Sequence, residues 1–165
     1  MKKQKIIILT IIIIGLIITS FFLGLNFKKI KKSFKPHEKH PLIDIPISKT
    51  NLPQLASFNY DSTYIVCLIS YNCSSCWDYI GNLNQYESSE NIDKVIAFAV
   101  GDDRKDDLIK YFNPTYEIKN CNYEDLTKLT KVSPTLFYIK NDSIKYVIMG
   151  AIPSLYNLEQ NYFNN

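Results

Sequence analysis

The feature that most constrains this chain is an uncharged apolar run of 22 residues, residues 6–27. As a helix rising about 1.5 Å per residue it would be about 33 Å long, enough to span the hydrocarbon core of a bilayer. A core helix of a small domain is not apolar on every face over this length. A cleaved signal peptide is the alternative, but its apolar region is normally about 7–15 residues and precedes small residues. Because the first alanine is Ala56, we expect residues 1–32 to be an uncleaved membrane anchor that contacts lipid through residues 6–27.

The charge of the chain changes sign after this anchor. Residues 1–39 have a net charge of +8 and residues 40–165 a net charge of −5, so the overall value of +3 describes neither part. The basic residues of the acidic part are scattered and form no stripe with aromatic residues, and we therefore expect no nucleic-acid partner. Six lysines follow the apolar run in the basic segment and three precede it. By itself, this distribution favours a cytoplasmic domain.

Residues 33–53 are predicted to be a tether between the anchor and a globular domain. They contain four prolines, which disfavour a continuous helix. His37 and His40 lie here without a cluster of carboxylates or cysteines. We therefore interpret them as solvated side chains and expect no metal site.

Residues 54–165 are predicted to form one compact α/β domain. Continuous β-branched and apolar runs indicate buried strands, and segments with helical spacing separate them. The predicted strands are Thr63–Ser70, Lys94–Val100, 116–118, 135–139 and 144–149, the last two joined as a hairpin. The predicted helices are 73–86, 102–112, Tyr123–Leu129 and 153–163. This order indicates a mixed central sheet flanked by helices.

The chemistry of the domain is concentrated in Cys73-Ser74-Ser75-Cys76, where a predicted strand ends and a helix begins. Free N–H groups at a helix start stabilise a thiolate, so Cys73 is the predicted nucleophile. Cys76 lies one turn later on the same helix face and can resolve a mixed disulfide. A C-x-x-C pair also occurs in zinc sites, but no second pair of ligands accompanies this one.

Two further cysteines lie outside the motif. Cys67 has apolar strand neighbours, and we expect it to be buried as a small apolar residue. The surroundings of Cys121 in the sequence assign it no role.

A second signal lies about sixty residues after the cysteine pair, in Ser133-Pro134-Thr135, before an apolar strand, a hairpin and Gly150. Together with the strand, C-x-x-C and helix order, it resembles the thioredoxin-like superfamily over roughly residues 63–163. The resemblance is strongest to membrane-anchored bacterial thiol–disulfide oxidoreductases. It implies that Pro134 is a cis proline beside the cysteines and that Ser133 offers its backbone to the substrate chain.

The chain departs from the family pattern at several positions. Asn72 replaces the usual tryptophan, Ser-Ser replaces Gly-Pro between the cysteines, and Cys67 replaces a buried acid that helps the resolving thiol lose its proton. Cys76 therefore has no obvious base. We expect Trp77 to border the substrate groove, since one flank of an exposed C-x-x-C must be a contact surface.

The sequence thus predicts an enzyme, a membrane-anchored thiol–disulfide oxidoreductase that needs no cofactor. Its expected partners are disulfide-containing protein substrates and an unidentified thiol electron donor or acceptor. The region 54–165 contains no histidine, which excludes Cys–His hydrolase chemistry there. Two alternatives stay open: a non-catalytic thioredoxin-like binding module, and an accessory subunit of a membrane complex.

The location of the domain is a separate question, because two arguments disagree. The lysine distribution favours the cytoplasm, whereas the resemblance is to proteins that face the periplasm or the cell exterior. We expect a single-pass membrane protein with an extracytoplasmic domain, since a short N-terminal tail before an anchor is typical of those exported members.

Overall fold

The computed structural model describes residues 40–101 and 104–163. Its centre is one five-stranded mixed sheet in the order β3-β2-β1-β4-β5. The strands are β1 (Thr63–Ser70), β2 (Lys94–Val100), β3 (Glu117–Asn120), β4 (Thr135–Lys140) and β5 (Ser143–Met149). β1, β2 and β3 run parallel, while β4 is antiparallel to both β1 and β5. The predicted mixed sheet is confirmed.

Short helices connect and flank these strands. They are α1 (Leu52–Leu55), α2 (Ser74–Tyr79), α3 (Leu83–Tyr86), α4 (Lys105–Phe112), α5 (Tyr123–Leu129) and α6 (Leu155–Leu158). Single 3₁₀ turns occupy Ile47–Lys49 and Ile80–Asn82, and a π-helical turn, Glu159–Phe163, follows α6.

The core has two parts, one on each face of the sheet. On β1, Ile65, Cys67 and Ile69 face a cluster that includes buried side chains of α2, α3, α4 and α6. Tyr64, Val66 and Leu68 face the other cluster, which includes α1 and α5. Since burying one large apolar side chain contributes roughly 1.5–3 kcal/mol, this central strand is fixed from both sides.

The sheet register brings two distant loops to one edge. The parallel strands β1 and β2 end together, with Ser70 opposite Val100. β4 runs the other way and starts at that edge, with Thr135 opposite Leu68. The segment after β1 and the segment before β4 are therefore neighbours in space although about sixty residues separate them.

Three predicted helices differ from the observed ones. The helix predicted over 102–112 begins at Lys105, with Arg104 as its N-cap, and residues 102–103 lie outside the described residues. The predicted helix 73–86 is interrupted by the 3₁₀ turn, where Gly81 has low helix propensity and the Asn82 amide donates to the carbonyl of Ile152 at 2.7 Å. The predicted helix 153–163 begins after Ser154, whose hydroxyl caps it by accepting from the N–H of Asn157. The predicted helix Tyr123–Leu129 is confirmed as α5.

Residues 40–53 of the predicted tether pack onto the domain instead of linking to it. The N–H of Asp44 donates to the carbonyl of Ile144 at 2.7 Å, and Pro46 forms a β-bridge with Ser143. Ile47 and Leu52 are fully buried. The prolines of this segment disfavour a continuous helix and are typical of a linker. Its apolar side chains nevertheless pack into the core.

His40 also packs against the domain, although the sequence predicts a solvated side chain. Its side chain is 9% exposed and packs edge-on against Phe137, with 5.9 Å between the ring centroids. The interpretation of His40 as a solvated side chain is therefore wrong, because the chain already contacts the domain at this residue. His37 lies outside the described residues.

Within residues 40–101 and 104–163, no helix combines the length and the apolar character needed to cross a bilayer. The predicted anchor, residues 1–32, lies outside the described residues.

Candidate active site

Cys73 lies in the turn that leaves β1. Its N–H donates to the carbonyl of Ser70 at 3.1 Å, and α2 begins at the next residue. Cys73 is thus the N-cap of α2, and its sulfur accepts a hydrogen bond from the N–H of Cys76 at 3.3 Å. The thiol therefore occupies the position in which a side-chain acceptor satisfies a free N–H of the first helical turn.

The Cys73 sulfur is partly exposed and has several hydrogen-bond partners. Burial alone would raise its pKa, but this effect is outweighed by hydrogen bonds from the Cys76 thiol, from Ser75, from the backbone N–H of Cys76 and from Ser133. The Ser75 hydroxyl lies 3.1 Å from the sulfur. The net result is a pKa lowered from its ordinary value, which favours the nucleophilic thiolate.

Cys76 has the opposite environment. It is 1% exposed, and its sulfur lies 3.1 Å from the hydroxyl of Ser133. Burial, followed by its hydrogen bond with Cys73, raises the pKa of Cys76 to about 12, although Ser133 opposes this shift. Cys76 is therefore held as a protonated thiol beside Cys73, whose pKa is lowered.

The loop before β4 closes the site from the other side. The Ser133–Pro134 peptide bond is cis, as the family resemblance implies, and Pro134 is buried. The carbonyl of Ser133 lies 3.4 Å from the Cys73 sulfur. Gly150, with a φ of +79° that only glycine adopts readily, donates its N–H to the carbonyl of Pro134 at 2.7 Å.

This fold is shared with known proteins. The chain is similar to a thiol:disulfide interchange protein of the thioredoxin family from Chlorobium tepidum, at 18% identity and a TM-score of 0.53 over 64% of this chain and 80% of that chain. It is also similar to StoA from Bacillus subtilis, at 15% identity and a TM-score of 0.52 over 65% and 85%. A DsbF homologue from Corynebacterium diphtheriae gives 16% identity and a TM-score of 0.51 over 64% and 73%. The chain has the thioredoxin-like fold.

No protein-family model matches the chain, and no curated protein matches it in sequence. The assignment to the thioredoxin-like fold therefore rests on the structural similarity.

Trp77 forms one flank of the candidate site. Its indole N–H donates to the carbonyl of Tyr71 at 2.8 Å, and its ring packs against Phe112 with 5.7 Å between centroids. The guanidinium of Arg104 lies 4.0 Å from the ring centroid, a cation–π contact. Trp77, Arg104 and Tyr111 line an open recess of about 470 Å³. Arg104 was missed in the sequence because α4 reaches Trp77 only through the tertiary fold.

A second, polar recess begins at Asn72. This open recess of about 680 Å³ is lined by Asn72, which precedes the first cysteine, and by Asn120, Cys121 and Tyr123. Burial and the charge of Asp125 raise the pKa of Cys121 to about 11, so this thiol is a weak nucleophile at neutral pH.

Cys67 lies beneath the motif, where the resemblance would place a buried acid. It is fully buried, as expected, and belongs to the same core cluster as Cys76. Burial, with a smaller contribution from Cys76, raises the pKa of Cys67 well above its ordinary value. Cys67 therefore stays protonated and does not act as a base for Cys76.

Two hydroxyl groups stand out that the sequence interpretation had not assigned. Ser75 contacts the Cys73 sulfur and Ser133 contacts the Cys76 sulfur. The signal was present as a serine inside the motif and a serine before Pro134, but the contacts of these hydroxyls with the two sulfurs require the folded loops. Within the described part of the chain, no group of three or more His, Cys, Asp or Glu residues is placed to hold a metal ion.

Proposed function

We propose that this chain is a thiol–disulfide oxidoreductase that reacts through Cys73 and Cys76. One observation carries the proposal: Cys73 is the partly exposed N-cap of α2 and its sulfur accepts a hydrogen bond from the N–H of Cys76 at 3.3 Å, whereas the Cys76 side chain is 1% exposed. In keeping with these positions, the pKa of Cys73 is lowered and the pKa of Cys76 is raised to about 12. An attacking thiol and a resolving thiol need this difference. The names of similar structures support it, since they include a secreted Mycobacterium tuberculosis disulfide oxidoreductase (10% identity, TM-score 0.50, 61% and 78% covered).

The proposed reaction has two exchange steps. The Cys73 thiolate attacks one sulfur of a substrate disulfide, forming a mixed disulfide and releasing the other substrate sulfur as a thiolate. Cys76 then loses its proton to that released thiolate and attacks the Cys73 sulfur. The Cys73–Cys76 disulfide forms, the substrate leaves with two reduced sulfurs, and two electrons have moved from the chain to the substrate. An external dithiol, or two molecules of a monothiol, then reduces the Cys73–Cys76 disulfide by the same two exchange steps and leaves as a disulfide, which restores the cysteine pair.

Ser133 has two parts in this proposal. Its hydroxyl, 3.1 Å from the Cys76 sulfur, stabilises the thiolate that forms before the second step. Its backbone pairs with the substrate chain, as the family resemblance implies for the residue before Pro134. Trp77 supplies a contact surface for the substrate on the flank that Arg104 and Tyr111 share.

The test is insulin reduction by the full chain in detergent with dithiothreitol as the reductant. Cys73→Ser should abolish the activity above the dithiothreitol background, while Cys121→Ser, which changes a thiol of the neighbouring recess, should retain it. Full activity of the Cys73→Ser variant would contradict the proposal.

One observation favours a second candidate, a non-catalytic binding module. Cys67 occupies the place of a proton acceptor but is itself held protonated, so resolution by Cys76 depends on Ser133 and the substrate thiolate alone. A binding module would capture oxidised substrate without turnover. Tight insulin binding by the wild-type chain without reduction would establish this alternative.

We also propose that residues 6–27 anchor the chain in a membrane and that the domain is extracytoplasmic. The support is the uncharged length of this run and the resemblance to exported members of the fold. A membrane-impermeant thiol reagent applied to intact cells, after reduction from outside, should label Cys73. Labelling only after the cells are opened would place the domain inside.

A further inference from the structure

Two buried threonines lie behind the loop that carries Ser133. Thr130 follows α5 and is 5% exposed, and Thr135 begins β4 and is fully buried. Their hydroxyl oxygens are 3.0 Å apart. The N–H of Thr130 also donates to Leu126, the last-turn carbonyl of α5, at 3.0 Å. The pair therefore joins both ends of the loop to rigid elements.

Both hydroxyls hold the residue before Ser133. Thr135 donates to the carbonyl of Val132 at 2.6 Å, and the N–H of Val132 donates to the hydroxyl of Thr130 at 3.1 Å. With the Thr135 proton on Val132, the Thr130 hydroxyl has two acceptors in reach, the Thr135 oxygen at 3.0 Å and the carbonyl of Val132 at 3.4 Å, so both hydroxyl protons are satisfied. The backbone N–H and carbonyl of Val132 are thereby both fixed by side chains.

These contacts determine where the Ser133 backbone lies. Val132 is pinned on one side of Ser133, and on the other the Pro134 carbonyl accepts from Gly150. A buried hydroxyl pair is costly unless each group is hydrogen-bonded, and here the partner that satisfies it is the loop itself. The loop is therefore held by specific contacts and not by apolar packing alone.

We propose that Thr130 and Thr135 are positioning residues that set the Ser133 backbone for pairing with an extended polypeptide substrate. The inference rests on the proposed oxidoreductase function and deepens it. It assigns the hydroxyl pair a role in recognising disulfides that sit in a polypeptide chain. Small-molecule disulfides have no polypeptide backbone that could bind to Ser133. Their reduction therefore does not depend on Thr130 and Thr135.

The experiment compares two substrates of different class, insulin and hydroxyethyl disulfide, with the full chain in detergent. Thr135→Val and Thr130→Val remove one hydroxyl each at almost unchanged volume. The Thr→Ser variants at the same positions keep the hydroxyl. The control is Thr127→Val, because the Thr127 hydroxyl bonds to the Glu124 carbonyl within α5 and does not reach the loop.

We expect Thr135→Val to raise the KM for insulin about tenfold, the effect of losing a hydrogen bond, with a smaller change in kcat. The rate with hydroxyethyl disulfide should stay within about twofold of wild type. Thr135→Ser should restore the KM for insulin, and Thr127→Val should leave both substrates unchanged. If Thr135→Val does not fold, Thr130→Val, which leaves the 2.6 Å bond from Thr135 to Val132 in place, carries the test.

An equal loss with both substrates, or no loss with insulin in either valine variant, would overturn the inference while leaving the proposed function intact. A wild-type chain that reduces neither disulfide would contradict the proposed function, and the positioning role would be overturned with it.

Discussion

Cys73 and Cys76 lie three residues apart in one motif, yet their surroundings act on the two thiols in opposite directions. Cys73 is partly exposed and accepts hydrogen bonds from Ser75 and from the N–H of Cys76, and its pKa is lowered. Cys76 is 1% exposed, and burial raises its pKa to about 12. The spacing alone does not distinguish the two sulfurs. The two sulfurs are distinguished by their solvent exposure and by their hydroxyl partners.

The exposure and hydrogen-bond partners of the two sulfurs thus assign attack to Cys73 and resolution to Cys76. The sulfur that attacks an incoming disulfide is partly exposed and has a lowered pKa, and the sulfur that acts in the second step is kept as a buried thiol. Changes to either sulfur or to its hydroxyl partner should therefore have distinct consequences.

Among changes that leave the attacking sulfur of Cys73 in place, the strongest effect is expected for Cys76→Ser. Without the resolving thiol the first step still proceeds, so the mixed disulfide between Cys73 and the substrate should accumulate and turnover should fall about a hundredfold or more. Non-reducing electrophoresis and mass spectrometry of the reaction with insulin would show the adduct. The matched control, Cys121→Ser, should give no adduct. Wild-type turnover by Cys76→Ser would remove the distinction between the two sulfurs.

The second expected effect is on the pH dependence of alkylation. Iodoacetamide reacts with thiolates, so the rate for Cys73 should reach half its maximum at a pH below the ordinary cysteine range of about 8.5. Since the pKa of Cys76 is raised to about 12, this thiol should stay unmodified at neutral pH. Peptide mapping after timed alkylation separates the two. Equal alkylation of both cysteines at pH 7 would contradict the proposed environments.

A smaller effect is expected for Ser133→Ala. The variant loses the hydroxyl that lies 3.1 Å from the Cys76 sulfur, and we expect the resolving step to slow about five- to tenfold. The first attack should slow less, because Ser133 is the smallest of the hydrogen-bond contributions that lower the pKa of Cys73. Stopped-flow measurement of a single turnover follows this step separately from the first attack. Ser133→Thr keeps the hydroxyl and should resolve close to the wild-type rate. A slowed first attack with unchanged resolution would assign the hydroxyl to Cys73 instead.

Ser75→Ala should act on the other sulfur. Loss of the hydroxyl 3.1 Å from the Cys73 sulfur removes one of the hydrogen bonds that lower its pKa, so that pKa should rise. The alkylation rate of Cys73 at pH 7 should then fall a few-fold. Ser74→Ala, at an exposed neighbouring position, is the control. An unchanged alkylation profile for Ser75→Ala would show that the backbone N–H and Cys76 suffice.

The smallest expected effect on activity is that of Cys67→Ala. Cys67 is fully buried and held protonated, so insulin reduction should stay within about twofold of wild type, while stability falls by about 1 kcal/mol through the lost packing. Urea unfolding measures the second quantity. A tenfold loss of activity in a folded variant would give Cys67 a part in the proton transfer of Cys76.

Much of the fold could be predicted from the sequence because its signals are local. The apolar runs of β1 and β2 and the hairpin of β4 and β5 each lie within a few residues. The contact of the cysteine motif with the Pro134 loop could be predicted only through the family resemblance, since about sixty residues separate the two.

What could not be predicted depends on contacts between distant parts of the chain. The segment 40–53 has a proline pattern typical of a linker, and only its contact with β5 shows that it belongs to the domain. Likewise, the Ser133 hydroxyl reaches Cys76 and the Thr135 hydroxyl reaches Val132 only after the sheet has aligned the loops. Short polar side chains carry no periodic signal, so their partners are visible only in the fold.

The most direct test of the central claim is mass spectrometry of the reduced full chain after reaction with oxidised insulin and rapid alkylation. We expect a disulfide between Cys73 and Cys76 to form in step with the release of insulin thiols, with Cys67 and Cys121 remaining reduced. Reduced insulin without a Cys73–Cys76 disulfide, or a disulfide that involves Cys67 or Cys121 instead, would contradict the claim.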